Sequence, residues 1–320
     1  MAAEFALAGL GLVILLLAGD VLVKGAVNLS LRLGIPALIV SLTIVAFGTS
    51  APELLISIKA ILDGVPGLAL GNVVGSNTAN VLLVLGIPAV LSGLHAGSDT
   101  RQTYVVMIIA TLLFIALAFV GPFTWWHGLI LLSLLGYVLI DAARAARAHR
   151  AAANGAAAVP LEDDALEEAD PDMPWWRIGL YLALGLIGLP LGADLLVDSS
   201  VAIATAYGVS ETVIGLTLVA IGTSLPELAT TVMAAMRNHA DVAMGNVIGS
   251  NMFNLLAIIG ISSLIGPIPV DATILKFDIW VMLAASLVLA PFVFLRWSLG
   301  RGVGVAFLAL YVGYIAMLLA

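Results

Sequence analysis

Apolar residues run through this chain in long blocks, each closed by a short group of polar residues, glycine or proline. About twenty apolar residues wound as a helix cross the roughly 30 Å hydrocarbon core of a bilayer, so each block predicts one membrane-spanning helix. Ten are predicted, at 4–23, 36–61, 68–93, 102–120, 125–142, 176–197, 210–236, 243–265, 277–296 and 303–319. The expected fold class is an all-α membrane protein. The first block has no preceding Lys or Arg, carries Glu4 and lacks a small-residue cleavage site, so it reads as a retained span and not as a signal peptide.

The pattern lapses between the fifth and sixth blocks. Residues 143–174 begin basic with Arg144, Arg147 and Arg150, become rich in Ala and Gly, and end in an acidic, proline-containing run from Glu162 to Asp172. This reads as a cytoplasmic linker between two five-helix halves, 1–142 and 175–320. The acidic run has no EF-hand spacing, which favours a solvated linker over a regulatory calcium patch. Lys and Arg are retained on the cytoplasmic side of a membrane. With the N-terminus outside, Lys24, Arg32, Arg101, Arg144, Arg147, Arg150, Arg177, Arg237, Arg296 and Arg301 fall inside, and only Lys59 and Lys276 fall outside. Five helices per half then invert the second half relative to the first and leave both termini outside, an arrangement of inverted repeats common in secondary transporters.

The halves also match residue by residue. GTSAPE at Gly48–Glu53 with GNVVGSNTAN at Gly71–Asn80 recurs as GTSLPE at Gly222–Glu227 with GNVIGSNMFN at Gly245–Asn254, always 174 positions later. Aligning 20–87 on 194–261 needs no gap and gives 27 identities in 68 positions, clustered on small, polar and acidic residues. Each copy sets one glutamate in an apolar run, where a charge costs at least ~2.5 kcal/mol and marks a functional, inward-facing position. No Lys or Arg occurs in either motif to pair with it. Two such glutamates related by internal symmetry point to a cation site near the bilayer midplane.

The proline of each GTSxPE should kink or break its helix, and carbonyls freed inside a membrane persist only where they are buried or line a polar cavity. Thr49, Ser50 and Glu53, with Thr223, Ser224 and Glu227, then offer hydroxyl, carbonyl and carboxylate oxygens, the donors that hard cations such as calcium take. Ser76 and Asn80, like Ser250 and Asn254, are four apart and share a helix face. Gly71 and Gly75, with Gly245 and Gly249, have the spacing that lets membrane helices approach closely.

Composition narrows the possibilities further. With 62% hydrophobic and 10% charged residues and a mean hydropathy of +1.16, the chain cannot present an ordinary charged surface to water. The absence of cysteine leaves oxygen or imidazole to hold any cation. The net charge of −8 is concentrated in the linker and implies no nucleic-acid partner. There is no nucleotide-binding loop and no HExxH, so neither an ATP-driven pump nor an intramembrane metalloprotease is expected; the protein is not read as an enzyme and needs no cofactor. His95, His127, His149 and His239 are scattered at span boundaries without metal-ligand spacing. The pairs Trp125–Trp126 and Trp175–Trp176 fit interfacial belts, and Arg144, Arg147 and Arg150 are accounted for by topology. The repeat mates Asp20 and Asp194 lie near predicted span ends, where a helix-capping or boundary role is favoured over an ion entrance.

GTSxPE followed by GNxxGSNxxN, twice and in this order, resembles the two alpha-repeats of the sodium/calcium exchanger family within the cation/calcium antiporter superfamily, and the span pattern extends the resemblance over nearly the whole chain. The short linker is similar to that of compact prokaryotic members. The resemblance implies a secondary antiporter that exchanges sodium for calcium by alternating access, with the first and sixth helices sliding across the other eight. It implies that Glu53 and Glu227 are shared calcium and sodium ligands, and that Ala46, Thr49, Ala220 and Thr223 contribute backbone carbonyls. Ser50, Ser76, Ser224 and Ser250 would add hydroxyls, and Asn80 and Asn254 would complete the centre. It implies an integral protein of the prokaryotic plasma (inner) membrane, functional as a single chain among membrane lipids, with Na+ and Ca2+ as its transported partners. Potassium-dependent exchangers and some prokaryotic relatives carry Asp where this chain has Asn254, and proton-coupled relatives usually carry an acidic residue within the second motif, so sodium coupling is expected ahead of proton or potassium coupling. A cation channel is the alternative from outside the antiporters.

Overall fold

The structure, a computed structural model, describes residues 2–95, 100–155, 170, 172–208 and 220–319. Nearly all of them are helical. In chain order the helices are α1 (Ala2–Leu33), α2 (Ala37–Thr49), α3 (Ala51–Leu62), α4 (Gly67–Leu91), α5 (Thr100–Val120), α6 (Trp125–Gly155), α7 (Trp175–Ala206), α8 (Leu225–Met236, preceded by the short piece Ala220–Gly222), α9 (Ala240–Ile265), α10 (Ile274–Phe294) and α11 (Arg301–Leu319). Among the described residues eight helices are long and apolar enough to cross a membrane, and the bent pair α2–α3 makes a ninth candidate. The predicted span 210–236 begins among residues outside the described ones, as does most of the acidic run from Glu162 to Asp172.

α4 and α9, which carry the second motif of each repeat, form the centre: 78% and 83% of their apolar windows are buried, against 17% in α6 and 22% in α7 and α11. The outer helices turn Leu17, Leu129, Ile187 and Val312 outward, as expected of surfaces that meet lipid instead of water. Trp125, Trp126, Trp175 and Trp176 are exposed at the starts of α6 and α7. Two short backbone pairings tie the loops together: Leu94–His95 runs antiparallel to Ser298–Leu299, and Phe123 exchanges both backbone bonds with Ile268 at 2.9 and 2.8 Å.

Several helices overrun the predicted spans, for local reasons. α1 continues ten residues past 23 because its polar residues are satisfied within the protein. Lys24 pairs with Asp20 one turn back at 3.4 Å, Asn28 Nδ2 donates to Lys24 O at 2.9 Å, and Ser30 Oγ donates to Val27 O at 2.7 Å. α6 extends through the Ala-rich start of the expected linker, alanine being the strongest helix former. Because α1 and α7 run well beyond Asp20 and Asp194, neither aspartate caps a helix, contrary to expectation.

Close approach relies on glycine. A Cβ at Gly192 of α7 would lie 2.8 Å from Leu15 N of α1, so these helices press backbone to backbone. In the second repeat a Cβ at Gly245 would meet Leu38 O at 3.0 Å, and one at Gly249 would meet Leu42 O at 2.6 Å. The contact is stitched by Ser41 Oγ, which donates to Val242 O at 2.6 Å. For Gly71 and Gly75 the repeat-equivalent neighbours fall among residues 209–219, outside the described ones. Gly249→Val forces α9 away from backbone that cannot yield, and is expected to cost about 1–3 kcal/mol or more. Thermal unfolding of purified protein in detergent checks this; an unchanged midpoint contradicts the packing.

Candidate cation site

Both GTSxPE segments break their helices at the same point and in the same way. Ser50 has φ −85° and ψ 5°, and Ser224 has φ −89° and ψ 5°, non-helical angles that end one helix and start the next. In the first repeat the resulting bend between α2 and α3 is 41°. Pro52 and Pro226 sit in the first turn of the following helix, where a missing N–H costs nothing and the fixed φ favours the start. The prolines thus initiate the second helix of each pair. One residue on, Glu53 and Glu227 occupy the first turns of α3 and α8, where unpaired N–H groups and the positive end of the helix dipole favour a carboxylate. Each is only 1% exposed.

Ser50 Oγ crosses from the first repeat to donate to Glu227 Oε1 at 3.0 Å, and Ser250 Oγ reaches the same oxygen at 3.4 Å. Behind each glutamate an asparagine holds the backbone. Asn72 Nδ2 donates to Glu53 O and to Ser57 Oγ, both at 3.4 Å. Its repeat mate Asn246 donates to Glu227 O at 3.3 Å and Thr231 Oγ1 at 3.1 Å, and its Oδ1 accepts from Thr49 Oγ1 at 3.3 Å.

Facing them, Asn80 and Asn254 each open a widened, π-helical turn, Asn80–Val84 in α4 and Asn254–Ile258 in α9. Such turns displace a side chain from regular helical register and are frequent at functional sites. Asn80 Nδ2 donates to Asn251 Oδ1 and Asn254 Nδ2 to Asn77 Oδ1, both at 3.0 Å. Asn77 Nδ2 in turn donates to Asn251 O at 3.2 Å, and Asn251 Nδ2 to Asn77 O at 3.5 Å. All four asparagines are buried.

What remains is a set of oxygens without donors. Glu53 Oε2, Glu227 Oε2, Asn80 Oδ1 and Asn254 Oδ1 are buried with no hydrogen-bond partner, as is Ser224 Oγ. The first four are acceptors only, so they call for a cation or a protonated group. Among the described residues no cluster of three or more His, Cys, Asp or Glu occurs. An oxygen set of two carboxylates with neutral amides and hydroxyls suits hard cations such as sodium or calcium better than transition metals.

Of the residues singled out in the sequence, Thr49, Ser50, Glu53, Ser76, Asn80, Ser224, Glu227, Ser250 and Asn254 are all buried on these four segments. Ala46 is also buried, and its carbonyl already accepts from Ser50 N at 3.0 Å and Thr49 Oγ1 at 3.3 Å. Ala220 begins the short helix before the second break. Thr223 is half-buried and lines a cavity of about 130 Å³ with Asp194, Asp198, Pro52, Ile56 and Pro190. Asp194 therefore stands at a cavity, whereas its mate Asp20 is engaged by Lys24 and by Arg237 at the end of α8. His127 is buried and accepts from Thr124 N at 3.1 Å. Sequence reasoning overlooked Asn72, Asn77, Asn246 and Asn251. Their signal was present, since all four are identical between the repeats, but only the geometry shows them bridging segments.

The family model described as sodium/calcium exchanger protein matches residues 4–141 and 178–320. The chain is 33% identical to the sodium/calcium exchanger MaX1 of Methanosarcina acetivorans, covering 97% of this chain and 96% of that protein. It is 34% identical to the inner membrane protein YrbG of Escherichia coli, over 96% and 94% respectively. Among solved structures, the sodium-calcium exchanger NCX_Mj soaked with 10 mM Na+ and no Ca2+ superimposes with a TM-score of 0.81 at 32% identity, over 98% of both chains. Two matched repeats, the paired glutamates and full-length similarity lead to one assignment: this chain belongs to the sodium/calcium exchanger protein family.

Proposed function

We propose that this integral membrane protein is a secondary antiporter that exchanges sodium for calcium by alternating access, and that the buried oxygens between α3, α4, α8 and α9 are where the ions bind. The observation that carries the reading is the group of four buried acceptors, Glu53 Oε2, Glu227 Oε2, Asn80 Oδ1 and Asn254 Oδ1, without a donor. Leaving such groups unpaired away from water costs several kcal/mol, which a bound cation recovers. Two carboxylates are neutralised by one divalent ion, whereas monovalent ions must bind in greater number at the same oxygens. Competition of this kind couples the two fluxes.

In this reading the carboxylates of Glu53 and Glu227 are shared by calcium and sodium. The hydroxyls of Ser50, Ser76, Ser224 and Ser250, the carbonyls of Ala46, Thr49, Ala220 and Thr223, and the amide oxygens of Asn80 and Asn254 complete the coordination. The one proton of the Thr49 hydroxyl is within reach of both Ala46 O and Asn246 Oδ1, and when it goes to Asn246 a lone pair of Ala46 O is free to take part. The chain is organised as ten spans in two inverted five-helix repeats, 1–142 and 175–320, joined by a cytoplasmic linker at 143–174. Both termini lie outside a prokaryotic inner membrane, and one chain carries the whole site. The similarity of MaX1 and NCX_Mj, both described as sodium/calcium exchangers, supports the choice of ions.

Protein reconstituted into sodium-loaded vesicles is expected to take up calcium on dilution into sodium-free medium, with the proton gradient collapsed and at a rate unchanged by potassium. Glu53→Gln and Glu227→Gln are each expected to reduce that uptake by about a hundredfold or more, as expected when one of two charges holding a divalent ion in a low-dielectric site is removed. Uptake only in the presence of potassium or a proton gradient would reassign the coupling ion. Uptake without any counter-ion gradient would point to a channel.

A further inference from the structure

The amide groups facing the ions have two ends of opposite character, and something must decide which end faces inward. An asparagine carries an acceptor oxygen and a donor NH2, and only the oxygen is useful to a cation. Beside two buried carboxylates the spontaneous preference is the reverse. A free asparagine would turn its NH2 toward Glu53 or Glu227, satisfy them, and close the site to ions. The structure shows the opposite orientation at both Asn80 and Asn254, whose oxygens are left without partners while their nitrogens are engaged.

The cause can be traced to the backbone. A main-chain carbonyl can only accept, so Asn77 must present its NH2 to Asn251 O, and does so at 3.2 Å. That leaves Asn77 Oδ1 pointing at Asn254, which can answer only with its own NH2, at 3.0 Å. The Asn254 oxygen is therefore turned away from Asn77 and left unpartnered. The same chain runs the other way across the repeats. Asn251 Nδ2 is committed to two acceptors, Asn77 O at 3.5 Å and Met107 Sδ at 3.8 Å, so its oxygen receives Asn80 Nδ2 at 3.0 Å and the Asn80 oxygen is left unpartnered. Every bond in the circuit crosses between α4 and α9, except that to Met107 on α5.

We propose that Asn77 and Asn251 are positioning residues which, anchored on each other's backbone carbonyls, hold the Asn254 and Asn80 amides with their oxygens toward the transported ion. They touch no ion themselves and act only through the asparagine of the opposite repeat. The inference rests on the exchange reading of the site. Cross-linked by this circuit, α4 and α9 form a fixed wall against which the glutamate-bearing helices present their carboxylates.

A double-mutant cycle on reconstituted protein tests this, with the KM for calcium as the readout. Asn77→Ala is expected to raise KM about tenfold, equivalent to losing one oriented ligand, but to change it less than about twofold when introduced into Asn254→Ala, because the amide it orients is then gone. Asn251→Ala is expected to behave the same way with Asn80→Ala. A merely structural asparagine would lower the amount of folded protein and the maximal rate, and would raise KM equally in both backgrounds; that result overturns the proposal, as does an unchanged KM in Asn77→Ala. Should the alanine variants fail to fold, Asn77→Asp keeps the volume and the accepting oxygen but removes the NH2 anchored on Asn251 O. Its added charge acts alike in both backgrounds, so its effect on KM is expected to differ at least about fivefold between the unmutated and Asn254→Ala backgrounds, and an equal effect contradicts the positioning role. Absence of sodium-dependent uptake by the unmutated protein would instead defeat the exchange reading, which separates the two failures.

Discussion

An oxygen atom buried without a donor is the constraint around which this molecule is arranged. Two carboxylates and two amide oxygens are held in an interior where water is scarce, and the asparagine nitrogens that could satisfy them from within the protein are committed elsewhere. Lysine and arginine are absent from both motifs. The hydroxyls of Ser50 and Ser250 both go to a single oxygen, Glu227 Oε1. On the proposed reading, cations entering the site relieve this shortage of positive charge, and that relief drives binding. The helix breaks at Ser50 and Ser224 serve the same end, since they place each glutamate at the positive end of a helix without the need for a basic side chain.

Internal duplication explains how one chain builds such a centre from few parts. Each repeat supplies a broken helix with a glutamate and a buried helix with a widened turn, and the contacts that shape the centre recur 174 residues apart. Asn72 and Asn246 brace the two glutamate backbones, and Asn77 and Asn251 exchange bonds with each other's carbonyls. The flanks differ, however. Asp20 is engaged by Lys24 and Arg237, whereas its mate Asp194 stands with Asp198 at a cavity that reaches Thr223. Thr49 is fully buried and bonded to Asn246. The surroundings of the two repeats thus differ at these positions.

Much of this was legible in the sequence because the rules of the membrane are strict. Apolar blocks gave the helices, and charge inside an apolar block marked Glu53 and Glu227. Repetition separated the site from the scaffold. Other features follow from tertiary contacts that no local pattern encodes. Asp20 looked like a boundary residue because its partner, Arg237, is 217 positions away. Near the end of α1, Asn28 Oδ1 accepts from Asp170 N, 142 positions away. Nothing in NVLLV or NLLAI announces the widened turn that Asn80 and Asn254 open. The bracing asparagines were visible as repeated letters, but identity alone cannot distinguish a ligand from the residue that orients it.

Whether one set of buried oxygens serves both ions can be decided by equilibrium binding of radioactive calcium to the purified protein during titration with sodium. Sodium is expected to displace calcium completely and competitively, so that the apparent calcium affinity falls steeply with sodium while the number of calcium sites stays constant. Glu227→Gln is expected to abolish calcium binding. Calcium that remains bound at saturating sodium, or that binds undiminished without the Glu227 carboxylate, would mean that the two ions do not share these oxygens.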